Sequence, residues 1–120
     1  LGDGTMERDF TYVDDVVSGV VAAVDLVLGR TAFHIVNLGE SEPVRLANLV
    51  AALEKATGRK ARIDRRPVPP GDVERTFADV SRAKELLGYE PRIALPEGLR
   101  RFIDWYRETM VVHAERATTD

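Results

Sequence analysis

Seven valines impose the strongest constraint on how this chain can fold. Val13, Val16, Val17, Val20, Val21, Val24 and Val27 recur at the i, i+3, i+4, i+7 spacing that lines one face of a helix. The run from Asp14 to Leu28 therefore predicts an amphipathic helix, ended at Gly29 by a left-handed C-cap. Valine is a mediocre helix former, so packing rather than propensity must hold this helix. Asp14-Asp15 stands at its start, where N-cap and first-turn acids belong. Ahead of it, Gly2-Asp3-Gly4 marks a tight turn. Arg8, Phe10 and Tyr12 then alternate with Asp9, Thr11 and Val13, as in a short strand. A cation on a strand just before a helix N-terminus favours anions, phosphate above all.

The remaining elements follow from similar patterns. Phe33-His34-Ile35-Val36-Asn37-Leu38, closed by Gly39, reads as a buried strand of a parallel sheet, because helices flank it. Leu46, Leu49, Val50 and Leu53 predict a helix from about Pro43 to Thr57, capped by Ser41 and stopped by Gly58. Ala61 to Arg66 alternates like a second strand. The prolines of Pro67-Val68-Pro69-Pro70-Gly71-Asp72 make the next stretch a loop or boundary. Ser81 to Leu87, closed by Gly88, predicts a short helix. Leu99, Phe102, Ile103, Tyr106 and Met110 mark a helix from about Pro96 to Val112, followed by a frayed polar tail over His113–Asp120. The expected fold is α/β, with a small, mainly parallel sheet and about four helices, in one domain.

Several functions are argued against directly. A net charge of −3 offers no basic field for nucleic acid. No apolar run approaches membrane-spanning length. The absence of cysteine removes thiolate metal sites and fits a reducing cytoplasm. The nine glycines never fall in a G-x-x-G spacing, so there is no dinucleotide fingerprint. A tyrosine-lysine base is absent too: Val16, Ile93 and Met110 stand four residues after the three tyrosines. His34, in an apolar stretch, reads as a packed core histidine rather than a catalyst or ligand. Asp14-Asp15 reads as helix capping rather than a catalytic or metal-binding carboxylate pair. No catalytic set and no metal site emerges.

Four segments taken in order carry a resemblance: GDGTMERDFTYVDDVVSGVVAAVD, FHIVNLGES, PPGDVERTFADVSRAKELLGYEP and LPEGLRRFIDWYRE. Together they resemble the C-terminal third of the NAD-dependent nucleotide-sugar epimerases and dehydratases, the extended short-chain dehydrogenase/reductase family. The flavour is that of UDP-sugar 4-epimerases. The resemblance covers residues 1–112 and implies a C-terminal substrate-binding portion, with the NAD loop and the Tyr-Lys pair in an N-terminal Rossmann part outside this chain. NAD would be the cofactor of the parent enzyme, bound mainly by that part. By position, Arg8 matches the R-D-F/Y arginine that contacts the nucleotide diphosphate. Asp72 matches the P-G-D aspartate that hydrogen-bonds the ribose hydroxyls. Each has a plainer reading as well: Arg8 as a surface partner of a nearby Asp, Asp72 as a turn cap. The chain departs from the resembled pattern at Pro69, where members of that family usually carry Arg or Gln to reach the nucleotide; that contact is either lost or supplied by Arg66 or Arg75.

The implied chemistry is oxidation of a sugar hydroxyl by bound NAD, a keto intermediate and return of the hydride. This chain would hold the nucleotide handle and be inactive as an isolated fragment. Dehydratases and decarboxylases of the same family are alternatives, as is a non-catalytic module binding a nucleotide diphosphate or a partner protein. With the Rossmann part removed, the valine helix and the FHIVNL strand would lie bare, which predicts a homodimer or a swapped assembly.

Overall fold

The computed structural model describes residues 4–28 and 33–117, with side chains to Met110. Its elements are β1 (Glu7–Asp9), α1 (Val13–Leu28), β2 (Pro43–Arg45), α2 (Leu46–Thr57), α3 (Ser81–Leu87) and α4 (Leu95–Ala117). The expected helices are all present. Residues 2, 3 and 29, assigned to a turn and a C-cap, lie outside the described residues.

The sheet corrects the expectation. It has two strands, β1 and β2, and they run antiparallel, with Glu7 opposite Arg45 and Asp9 opposite Pro43. The parallel component is a single bridge between Glu7 and Arg75. There the Glu7 amide donates to the Glu74 carbonyl at 2.8 Å and the Thr76 amide donates to Glu7 at 3.1 Å. Thus β1 lies between two neighbours of opposite sense. The apolar stretch 33–38 forms no strand; Phe33 and Ile35 are 85% and 67% exposed, and His34 is exposed rather than packed. Residues 61–66 are likewise irregular and exposed. A strand is completed by its neighbour, and neither segment meets one among the described residues.

Helix starts are held differently from the sequence expectation. At α2, Leu46 and Ala47 donate to the carbonyls of Met6 and Gly4 at 2.9 and 3.1 Å, while Arg45 occupies the N-cap without a side-chain bond. Ser41 therefore does not cap it; its hydroxyl donates to the Ala78 carbonyl. The expected stop is met by Gly58 in the left-handed region, donating to Glu54. Asp15 does more than favour its own helix start. Only 5% exposed, its carboxylate accepts from the amides of Arg92 and Ile93 at 3.0 and 2.9 Å, tying α1 to the segment ahead of α4. The last helix continues through Ala117, past the expected end at Val112 and into the stretch read as frayed.

The buried apolar residues among those described are few: Met6, Ala83, Tyr89 and Ile103. Ala83 is fully buried in α3, which packs against α1. At Gly19 a side chain would come within 2.6 Å of Leu38, so glycine permits that approach. The opposite face of α1 is open, with Val17, Val20, Val21, Val24 and Val27 each about half exposed. An apolar cavity of about 310 Å³ lies between Tyr12 and Val13 at the start of α1, Leu49 of α2 and Leu99 and Phe102 of α4.

Replacing Asp15 by Ala should cost about 2 kcal/mol or more, because two amides lose their acceptor. Urea denaturation checks this; a loss below about 0.5 kcal/mol would contradict the assigned role.

Candidate functional site

The two residues singled out by sequence, separated by 64 positions, meet in space. One guanidinium nitrogen of Arg8 lies 2.8 Å from Asp72 Oδ1. The other donates to the carbonyls of Glu7 and Glu74, at 2.8 and 3.4 Å. Arg8 belongs to β1, and that strand's bridge to residue 75 brings the Asp72 loop alongside. Asp72 is delivered by a tight turn. Its amide donates to the Pro69 carbonyl at 3.2 Å, and Gly71 takes φ of 86°. Proline second and a left-handed glycine third is the pattern of a type II turn, in which a side chain at the glycine position would be strained.

Asp72 also lines an open depression of about 650 Å³, with Met6 and Glu7 on one wall and Val68, Val73 and Arg75 on the other. Its volume falls in the range of small-molecule sites. The arginines in and near it are already paired. Arg75 lies 3.2 Å from Glu7 and sits over the Phe77 ring, while Arg66 is bonded to Asp64 at 2.8 Å. Neither arginine is held free to stand in for the side chain that Pro69 lacks, and the carbonyl of Pro69 serves the turn.

The anion-binding arrangement expected at the start of α1 is not formed. Asp14 and Asp15 fill that first turn, Arg101 approaches Asp14 at 3.6 Å, and Arg8 turns toward the loop instead. Phe10 and Tyr12 are half-buried, and Arg101 lies over the Tyr12 ring. Asn37 donates through its side chain to the Asp79 carbonyl.

What sequence reasoning missed is the support beneath Arg8. The adjacent Asp9 accepts from Glu40 through Oδ1, at 3.0 Å, and from Ser41 and Ala78 through Oδ2, at 3.1 and 3.0 Å. Its own amide donates to the Thr76 hydroxyl. These bonds hold Ser41 at φ of 60°, a left-handed conformation uncommon for serine. Gly39 fits because a Cβ there would fall 2.5 Å from Ala78 Cβ and 2.9 Å from Asp9. The Tyr89 hydroxyl donates to the Gly39 carbonyl at 3.0 Å, and burial pushes that phenol's pKa up. Nothing in an R-D-F triplet announces this; the amides that Asp9 collects come from residues 40, 41 and 78.

Glu40 is the strained member of this cluster. Its Oε2 is buried without a hydrogen-bond partner. Burial, then the negative charges of Asp15, Asp9 and Glu42, push its carboxyl above the usual carboxylate range. Such a carboxyl keeps its proton to higher pH in the folded chain than in the unfolded one. Its contribution therefore favours folding at low pH and is lost as pH rises through the raised value. Glu40→Gln should raise the thermal midpoint at about pH 7, with the gap to wild type closing toward about pH 4. Thermal melts across that range provide the check; a gap independent of pH would contradict it.

The model of the family described as GDP-mannose 4,6 dehydratase matches residues 1–102. A UDP-glucuronate 4-epimerase of Thermodesulfobacterium geofontis is 39% identical over 111 residues, which cover 92% of this chain and 33% of that protein. A mutant UDP-glucuronic acid 4-epimerase of Bacillus cereus, solved with UDP-4-deoxy-4-fluoro-glucuronic acid and NAD, superposes with a TM-score of 0.81. It is 35% identical, over 91% of this chain and 34% of that one. The UDP-glucose 4-epimerase of Thermotoga maritima, solved with UDP-glucose, also gives 0.81, at 33% identity over 92% of this chain and 34% of its own. The chain spans about a third of the length of the curated relatives it matches.

Proposed function

The chain belongs to the GDP-mannose 4,6 dehydratase family, and from that membership we propose that it is the nucleotide-sugar-binding portion of an NAD-dependent UDP-sugar 4-epimerase. The observation that carries the reading is the ion pair of Arg8 with Asp72, a residue that lines the open depression. Arg8 supplies a planar fork of donors suited to a diphosphate. Asp72 supplies carboxylate oxygens suited to the two hydroxyls of a ribose. The family model is described by a GDP-mannose dehydratase, but the relatives detailed above are described as UDP-sugar 4-epimerases, and that favours epimerisation and a uridine nucleotide.

The residues of this chain do not suit NAD. There is no glycine-rich turn ahead of a helix, and α1 opens with two carboxylates that would repel a pyrophosphate. Its own part is to bind and orient: gripping the nucleotide fixes the attached sugar, and that remote binding energy is available to the reacting centre. Alone, the chain holds a substrate that it has no base to transform. Its accessible surface of 9249 Å² supports the fragment reading. A compact chain of this mass would expose roughly 6,500 Å². The radius of gyration, 18.2 Å, likewise exceeds the roughly 14 Å of a compact domain of this length. We assign the lack of cysteine to a cytoplasmic setting. No helix among the described residues is long and apolar enough to cross a membrane.

Calorimetry with UDP tests the site. Arg8→Ala should weaken binding at least about tenfold, the equivalent of about 1.4 kcal/mol, with an unchanged circular dichroism spectrum. Equal affinity in the two proteins would contradict the phosphate assignment. The open valine face of α1 supports a homodimer or swapped assembly of the isolated chain. Sedimentation velocity should show dimer at micromolar concentration and its loss in Val20→Glu and Val24→Glu; a monomeric wild type would contradict it.

A further inference from the structure

The Arg8 guanidinium is surrounded by oxygen acceptors of the chain itself. It meets Asp72 Oδ1 at 2.8 Å and the carbonyls of Glu7 and Glu74 at 2.8 and 3.4 Å. The Arg8 and Asp72 side chains are 26% and 28% exposed, so the pair is shielded but not sealed. Asp72 stands immediately after the turn made by Pro69, Pro70 and Gly71. Proline and the left-handed glycine restrict that turn, so the carboxylate is held toward Arg8 at little further entropic cost. Each partner thus occupies the position a ligand group would take on the other.

We propose that Asp72 masks Arg8 against simple anions and releases it to a nucleotide, so that the pair sets specificity as well as affinity. The inference rests on the reading of Arg8 as the phosphate contact. A free phosphate or pyrophosphate approaching Arg8 must displace Asp72, and it carries no pair of sugar hydroxyls to occupy that carboxylate in return. It also brings negative charge against negative charge. A nucleoside diphosphate differs in one respect: its ribose hydroxyls donate to the displaced carboxylate while its phosphates take the guanidinium. Both halves of the broken ion pair are then satisfied again. Discrimination arises from an element that penalises the wrong ligand, rather than from extra contacts to the right one.

The size of the effect follows from the strength of the pair. A partly exposed ion pair is worth on the order of a few-fold in an equilibrium, up to about tenfold when well shielded. Removing it should raise the affinity of Arg8 for a bare anion by that factor, because the competent state no longer has to be released first. Asn at position 72 keeps the shape of the side chain and removes the charge.

The test is calorimetric titration of the chain and of its R8A and D72N variants with inorganic pyrophosphate and, separately, with UDP. Far-UV circular dichroism confirms the fold of each, and Asp72→Ser provides a second uncharged variant. In D72N, pyrophosphate should bind about three- to tenfold tighter than in wild type, while the preference for UDP over pyrophosphate falls by at least that factor. In R8A, pyrophosphate binding should be lost and UDP binding should weaken at least about tenfold. If R8A abolishes pyrophosphate binding but neither D72N nor D72S tightens it, masking is wrong and the phosphate role of Arg8 stands. If R8A leaves pyrophosphate binding unchanged, the phosphate role itself fails and masking fails with it.

Discussion

The carboxylate of Asp9 is the interaction on which the arrangement of this lobe depends. It gathers amides from residues 40, 41 and 78, while the backbone of the same residue pairs through β1 with β2. Two segments distant in sequence, residues 40–45 and the stretch around residue 78, are thereby fixed to one strand. A carboxylate accepting several amide bonds forms charge-assisted contacts stronger than neutral ones. Arg8 is the preceding residue, so the position of its guanidinium inherits the rigidity of the carboxylate beside it. Asp15 repeats the device in the first turn of α1, where it holds residues 92 and 93. Two buried or half-buried aspartates do much of the ordering that apolar packing supplies in larger domains.

Apolar packing is sparse because the apolar surface points elsewhere. Ala83 is fully buried in α3, which packs against α1, and Gly19 of α1 admits Leu38 and Tyr89, while the valines of the opposite face are left half exposed. Phe33 and Ile35 are open as well, next to a backbone that forms no ladder. A surface of this kind marks an interface. Its character agrees with a chain that matches about a third of the length of its relatives. The site at Arg8 and Asp72 does not lie among these residues. It is built from β1, the Pro-Gly turn and the residue 75 bridge, elements fastened to one another by their own hydrogen bonds.

Pro69 contributes its carbonyl to the rigid turn that carries Asp72. The neighbouring arginines are spoken for, Arg66 by Asp64 and Arg75 by Glu7. In the function proposed above, the grip on a nucleotide therefore falls to Arg8 and Asp72, which are bonded to each other.

The helices and several of their glycine stops were legible in the sequence, since helical periodicity and a left-handed cap are properties of neighbours along the chain. Gly58 and Gly88 stand where that logic places them. The family resemblance likewise singled out Arg8 and Asp72, each for its own role. Strands had no such footing: a three-residue strand exists because another segment lies beside it. The apolar run 33–38 has strand character and no partner, whereas Pro43–Arg45 has little and is paired with β1. By itself, then, the sequence determined the helices, the Pro-Gly turn and the family. Only the tertiary structure decided the antiparallel sheet, the roles of Asp9 and Asp15, and the bond between Arg8 and Asp72, because each depends on groups dozens of residues apart arriving within hydrogen-bonding distance.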